Sequence, residues 1–201
     1  MVECNVAGRP RTFDEAAVLD QAAALFWQNG YAGTGLSELE HVTGLGRQSL
    51  YGAFGDKRAL FEKVVEHYER TVLRPGMLAL LEAPGSPRKN VERLIASWEH
   101  VASSPDFNGC LVGNCVAEMS VRDPEIADVL APKLKLMEGW LITALKRAQR
   151  EREVSKQLDV EAVASAILAM MQGISVVARA HRDRAFVRGV AESAARLLDM
   201  P

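Results

Sequence analysis

The stretch Gly44-Leu45-Gly46-Arg47-Gln48-Ser49-Leu50-Tyr51-Gly52-Ala53-Phe54-Gly55-Asp56-Lys57 leaves few folds open to this chain. Glycines punctuate both ends, so it reads as a tight turn, a helix of about two turns, a second turn and the start of a longer helix. Leu50 and Phe54 lie four apart and share the inward face. Arg47, Gln48, Ser49, Tyr51 and Gly52 are then left facing outward. One cation, three hydrogen-bonding side chains and a glycine that permits close approach form a surface suited to DNA. Helix stability alone does not require it.

The preceding residues complete a helix-turn-helix. Thr34 is predicted to cap a short helix whose Leu36, Leu39 and Val42 fall on one side. Gly44 ends that helix in the left-handed conformation, and Leu45 plugs the gap between the two helices. A first helix, a Gly-containing turn and a second helix that enters the major groove make up a DNA-binding unit. The alternative is an ordinary helical hairpin. Upstream, Thr12-Phe13-Asp14-Glu15 has the form of a capping box, Val18, Ala22, Leu25 and Phe26 make an apolar stripe, and Asn29-Gly30 supplies a stop. Downstream, Asp56 caps a helix that runs past Tyr68. Lys57 and Arg58 in its first turn oppose the helix dipole, which a bound phosphate would explain. Two solvated surface charges are the alternative.

These motifs resemble the N-terminal domain of the tetracycline-repressor (TetR/AcrR) family. A capped helix ending in Asn29-Gly30-Tyr31 is followed by Thr34-x-Leu36-x-x-Leu39. Then comes Gly44-Leu45-x-Arg47-x-Ser49-Leu50-Tyr51-x-x-Phe54-Gly55-x-Lys57-x-x-Leu60. The match covers about residues 9 to 65. The resemblance implies an all-α protein of about nine helices. A three-helix helix-turn-helix domain would be followed by a helical ligand-binding and dimerisation domain. It implies a dimeric, ligand-responsive transcription regulator, in most members a repressor, bound to palindromic double-stranded operator DNA. Glu40 departs from the small residue that many relatives carry; it either faces outward or pairs with a cation such as Arg47. The domain boundaries expected are 1–57 for the arm and helix-turn-helix, 58–82 for a connecting helix and 83–201 for sensing and dimerisation.

Composition is that of a globular protein, 48% hydrophobic and 25% charged over 201 residues. No apolar stretch is expected to approach the ~20 residues needed to cross a bilayer, and no signal-peptide pattern opens the chain. Three cysteines do not indicate a disulfide scaffold, so a reducing cytoplasm is the simplest compartment. Net charge is −2. Residues 1 to 60 carry five cations (Arg9, Arg11, Arg47, Lys57, Arg58) and seven anions (Glu3, Asp14, Glu15, Asp20, Glu38, Glu40, Asp56). Bulk charge therefore does not drive DNA binding; placement does. Arg47, Lys57 and Arg58 cluster at the motif. Arg9 and Arg11 sit on an arm that can reach phosphates or the minor groove. On this reading Thr34 joins the DNA contacts, Tyr51 and Lys57 bind phosphate, and Gln48 and Ser49 approach base edges.

Beyond residue 70 the periodicity stays helical. Arg74-Pro75-Gly76 reads as a kink or break, and Ser86-Pro87 as a helix start. The two last helices, about 159–180 and 183–198, carry an apolar band too wide for the surface of a monomer. Ile167, Met171, Ile174, Phe186, Val190 and Leu197 are the residues expected in a homodimer interface; packing within one chain is the alternative. The middle helices would hold a small, mostly apolar effector among Trp98, Cys110, Asn114, Glu118, Met137, Trp140 and Met170. Cys110 and Cys115 read first as inert buried thiols. A thiol sensor, or a soft-metal sensor using His100 with Cys110, is the alternative. No phosphate loop, nucleophile elbow, zinc motif or cofactor motif occurs in the sequence. An enzyme and a protein-binding adaptor are the remaining rivals, and neither explains the outward face of the short helix.

Overall fold

The computed structural model describes residues 13–181 and 183–201, which form nine helices and no strand. Helix α1 spans Glu15–Gly33, α2 Leu36–Thr43 and α3 Arg47–Phe54. Helix α4 runs as α-helix over Lys57–Tyr68, passes through a π segment at Glu69–Leu73 and continues as α-helix over Arg74–Leu81. Then follow α5 (Pro87–Ala102), α6 (Leu111–Met119), α7 (Pro124–Arg150), α8 (Val160–His181) and α9 (Arg184–Arg196). A 3₁₀ turn at Leu197–Asp199 follows α9.

The helix starts depart from expectation twice. Asp14, not Thr12, caps α1: its carboxylate accepts from the N–H groups of Ala16 (2.9 Å) and Ala17 (3.4 Å). A negative charge at the positive end of the helix favours that choice. Thr12 lies outside the described residues. Thr34 does not cap α2; Gly35 does, its N–H donating to the Glu38 carboxylate at 2.7 Å. The Thr34 hydroxyl instead donates back to the Gly30 carbonyl at 2.7 Å, which buries it at the end of α1. Other signals hold. Gly44 ends α2 in the left-handed conformation (φ 66, ψ 7), and Ser86 caps α5 through the Lys89 N–H. The chain does not break at Arg74-Pro75-Gly76. Pro75 follows the π segment, where the ladder is already rearranged, and the helix continues.

Phe26 of α1, Leu39 of α2, Leu50 of α3 and Phe61 of α4 are fully buried and fix the first three helices on α4. Phe26 and Phe61 meet edge to face, with ring centroids 5.1 Å apart. The same buried cluster continues without a gap through Tyr68 and Leu111 into the α5–α8 bundle. A hydrophobic seam therefore joins the N-terminal unit to the rest, mainly where α6 packs on α1.

Helix α8 corrects two expectations. It is long and apolar enough to cross a membrane by length and composition, contrary to the expectation that no apolar stretch reaches that length. It nevertheless packs against α7 and α9, and Val163, Ile167, Leu168, Met171 and Ile174 are buried there. Ile167, Met171 and Ile174 are thus core residues of the single chain, because they occupy the face turned to α7 and α9. The face left open carries small or β-branched residues: Ala162, Ala169, Gly173, Val176 and Val177. Phe186 of α9 is 39% exposed beside it, and Val190 and Leu197 are half-buried.

Candidate nucleic-acid interface

Helix α3 is held by two side chains. Leu50 and Phe54 are buried; Arg47, Gln48, Ser49 and Gly52 are exposed, and Tyr51 is half-exposed. The Arg47 guanidinium lies 5.6 Å from the centre of the Tyr51 ring, and among the described residues no ion pair joins it to Glu40, which is half-buried on α2. A Cβ added at Gly52 would meet nothing within 4 Å. The fold does not require glycine there, and glycine inside an exposed helix costs about 1 kcal/mol relative to alanine. The open space outside Gly52 is what close approach by a partner requires.

Lys57 and Arg58 part company. The Lys57 ammonium sits 4.5 Å from the centre of the Tyr31 ring, and burial lowers its pKa against the pull of Glu118 and Glu38. Arg58 reaches toward α7 with its side chain 35% exposed. It pairs with Asp123 at 3.2 Å and with Glu125, both at the start of α7. The phosphate expected to explain Arg58 is replaced by two carboxylates of the chain itself. Thr34 is buried by its bond to Gly30 and does not present its hydroxyl outward. Arg9 and Arg11 lie outside the described residues.

The junction behind this surface was largely invisible to sequence reasoning. At Gly30 the backbone of α1 turns to φ 76, ψ 174, a region essentially restricted to glycine. The break leaves the N–H groups of Tyr31 and Ala32 without helical partners. The Glu118 carboxylate of α6 accepts both, each at 2.9 Å. A Cβ at Gly30 would collide with that carboxylate. Three residues earlier, the Trp27 indole N–H donates to the Gly109 carbonyl at 3.1 Å. Tyr31 stacks near Phe26 and meets Phe61 edge to face; burial raises its pKa against the opposing effect of Arg58. The sequence signal was present in Asn29-Gly30-Tyr31, which reads as a helix stop. Nothing in it shows that the stop is closed by a carboxylate 87 residues away.

The seven residues expected around an effector are not brought together. Glu118 belongs to the α1 junction. Met137 is fully buried in the core of α7. Trp140 borders a separate depression with Leu78 and Arg147, and the Arg74 guanidinium lies over its ring at 5.4 Å. Met170 is half-buried on α8. Asn114 donates to the Asn108 carbonyl at 2.7 Å; its Oδ1 and the Gln172 amide are buried without a partner among the described residues. Of the seven, Trp98 alone lines an apolar slot of about 210 Å³ bounded by Trp27, Tyr68, Leu73, Met77 and Phe107.

Cys110 is 1% exposed and Cys115 fully buried. Burial pushes the Cys110 thiol up, and the Cys115 thiol up to about 12. Thiols this deep are poor nucleophiles at neutral pH, which disfavours thiol sensing. Among the described residues no three His, Cys, Asp or Glu side chains cluster as metal ligands.

Comparisons with known proteins agree with this geometry. Residues 18–64 match the bacterial regulatory proteins of the tetR family, and residues 87–194 match the tetracyclin repressor-like C-terminal domain. The chain is 32% identical to the HTH-type transcriptional repressor ComR of Escherichia coli (strain K12), over 86% of this chain and 82% of that protein. It is 30% identical to the HTH-type transcriptional regulator YezE of Bacillus subtilis (strain 168), over 88% of this chain and 91% of that one. Among solved structures, a cysteine mutant of the TetR family regulator CifR, complexed with 26 bp double-strand operator DNA, superposes with a TM-score of 0.83. That likeness is at 28% identity and covers 94% of this chain and 98% of CifR. From the recognition surface to the last helix, the chain belongs to the TetR family of transcriptional regulators.

Proposed function

We propose that the chain acts as a homodimer that represses transcription by placing α3 of each copy in the major groove of a palindromic operator, and that a small molecule bound in its C-terminal part releases it. The observation that carries this reading is the outward face of α3. Arg47, Gln48, Ser49 and Gly52 are exposed around only two buried anchors, with a glycine that packing does not need. Gln48 and Ser49 are the base readers; Tyr51 and Lys57 hold phosphates. Residues 1–57 form the DNA-binding part, 58–82 the connecting helix and 83–201 the sensing and dimerising part. Such a repressor works in the cytoplasm.

The second copy covers the open face of α8 and α9. Ala162, Ala169 and Gly173 let backbones approach closely, while Val176, Val177 and Phe186 supply apolar area. A two-fold dimer matches a palindromic site, one recognition helix per half-site. Signal passage requires a ligand that favours one seating of the N-terminal part over another. The Glu118 and Trp27 bonds and the Arg58 pairs to α7 are the contacts through which that difference passes.

Selection of genomic DNA fragments by the purified protein, followed by gel shift with the upstream region of its own gene, tests the reading. Enrichment of fragments sharing an inverted repeat supports it. Failure to enrich any fragment contradicts it.

A further inference from the structure

The slot between α1, α4 and α5 lies where the N-terminal unit meets the bundle, not deep in the sensor core. Two aromatic rings from different parts of the chain form one wall: Trp27 of α1 and Tyr68 of α4 meet edge to face, centroids 5.2 Å apart. Trp98 of α5 and Phe107 of the following loop line the slot as well. Val72 and Val101, exposed at 44% and 49%, line it as well. No Asp, Glu, Lys, Arg or His lines it. The Tyr68 hydroxyl is held protonated by burial. An ion entering this slot would lose water and find no counter-charge.

Size narrows the occupant further. A dry cavity of about 150 Å³ lined by apolar side chains is large enough for benzene. The slot, at about 210 Å³, has room for one or two fused rings. It is smaller than the cavities of roughly 300–1,000 Å³ that hold drug-sized ligands.

We propose that this slot binds a neutral, flat, mostly apolar molecule of one or two rings. By lying against Trp27, that molecule alters the seating of α1 and thereby weakens operator binding. The inference rests on the repressor reading and names the chemistry of its effector. Trp27 is both a wall of the slot and the donor to Gly109, so an occupant touches directly a residue that ties α1 to the bundle. The helix then carries the change three residues on, to Gly30 and its contact with Glu118.

The test uses 2-naphthol and 2-naphthoate, one ring system in neutral and anionic form, titrated calorimetrically into the DNA-free full-length protein at pH 7. Two variants fill the slot. Gly76 lines it on α4 with nothing within 4 Å of an added Cβ, so Gly76→Leu adds bulk without a clash at its base. Ser97→Leu fills it from α5. The expected result is naphthol binding at least about tenfold tighter than naphthoate. Each variant should weaken it by a similar factor while its circular dichroism spectrum stays that of the parent. Naphthol should also weaken operator binding by the parent protein. Equal binding of the two compounds, binding unaffected by both variants, or naphthol binding that leaves operator affinity unchanged would each overturn the proposal. Operator affinity is measured separately, so a protein that binds naphthol but no DNA would mark failure of the repressor reading instead.

Discussion

Glu118 of α6 holds the backbone of Tyr31 in α1: its carboxylate accepts the Tyr31 N–H at 2.9 Å and, through its other oxygen, the Ala32 N–H at the same distance. The pair joins the helix behind the recognition unit to the bundle at the one break in α1. Glutamine offers a single acceptor oxygen, so Glu118→Gln gives up one charge-assisted bond. It should lower stability by about 1–2 kcal/mol in urea unfolding and speed hydrogen exchange at Tyr31 and Ala32. Gly30→Ala should cost about 1–3 kcal/mol, since alanine is strained at φ 76 and its Cβ meets the carboxylate. The cost should shrink in a Glu118→Ala background, where the collision is gone. Additive losses and unchanged exchange would show that the contact is incidental.

The proposed roles on α3 and α4 divide between positioning and reading. Lys57→Ala should weaken binding to all DNA sequences and reduce the salt slope by about one unit. Gln48→Ala should relax preference at one position of each half-site, worth roughly 1–3 kcal/mol there. Affinity titrations at several salt concentrations, on an operator and its single-base variants, separate the two. Equal losses at every position for both variants would contradict the division.

The dimer face is expected on the open side of α8. Val177→Glu should yield a folded monomer in sedimentation at micromolar concentration, with operator affinity falling alongside, because the charge enters an apolar contact without a partner. Ile174→Glu should unfold the C-terminal part instead, since Ile174 is 3% exposed within one chain. A dimeric Val177→Glu protein would move the interface elsewhere.

Cys115 gives an alkaline signature. Its thiol ionises at about 9 when free and is pushed up to about 12 by burial. Between those values the unfolded chain loses a proton that the folded chain keeps. Stability from this group is therefore whole below pH 9 and falls as pH rises toward 12, with a limiting slope of about 1.4 kcal/mol per pH unit. Cys115→Ala should remove that part of the slope in urea unfolding between pH 9 and 11. Iodoacetamide at pH 7.5 should leave Cys110 and Cys115 unlabelled in the native protein, read by mass spectrometry of the tryptic peptides. Rapid labelling of Cys110 would restore the thiol-sensor reading.

The recognition unit was legible because its signals are local. Gly44 and Gly55 bracket a helix whose two inward residues are four apart, and turn chemistry with periodicity fixes that much. The junction was not legible because its partners lie far apart in sequence: Glu118 with Tyr31, Arg58 with Asp123, Trp27 with Gly109. Periodicity names an apolar face without saying which neighbour covers it. That is why Ile167, Met171 and Ile174 read from sequence as a face for a second copy, although α7 and α9 already bury them. The seven residues expected around an effector are dispersed for the same reason. Trp98 and Trp140 are both large and half-buried on middle helices, and only tertiary packing places one at the slot and the other over Arg74.

The most direct test of the central claim is a hydroxyl-radical footprint on a genomic fragment selected by the protein, made with the parent and with Gln48→Ala. Two α3 helices reading a palindrome should protect two symmetry-related half-sites, with centres about 34–36 Å apart or a multiple of that spacing. Gln48→Ala should loosen both half-sites together. Protection of a single asymmetric site, or a footprint that Gln48→Ala leaves unchanged in position and strength, would contradict recognition through α3 of a two-fold dimer.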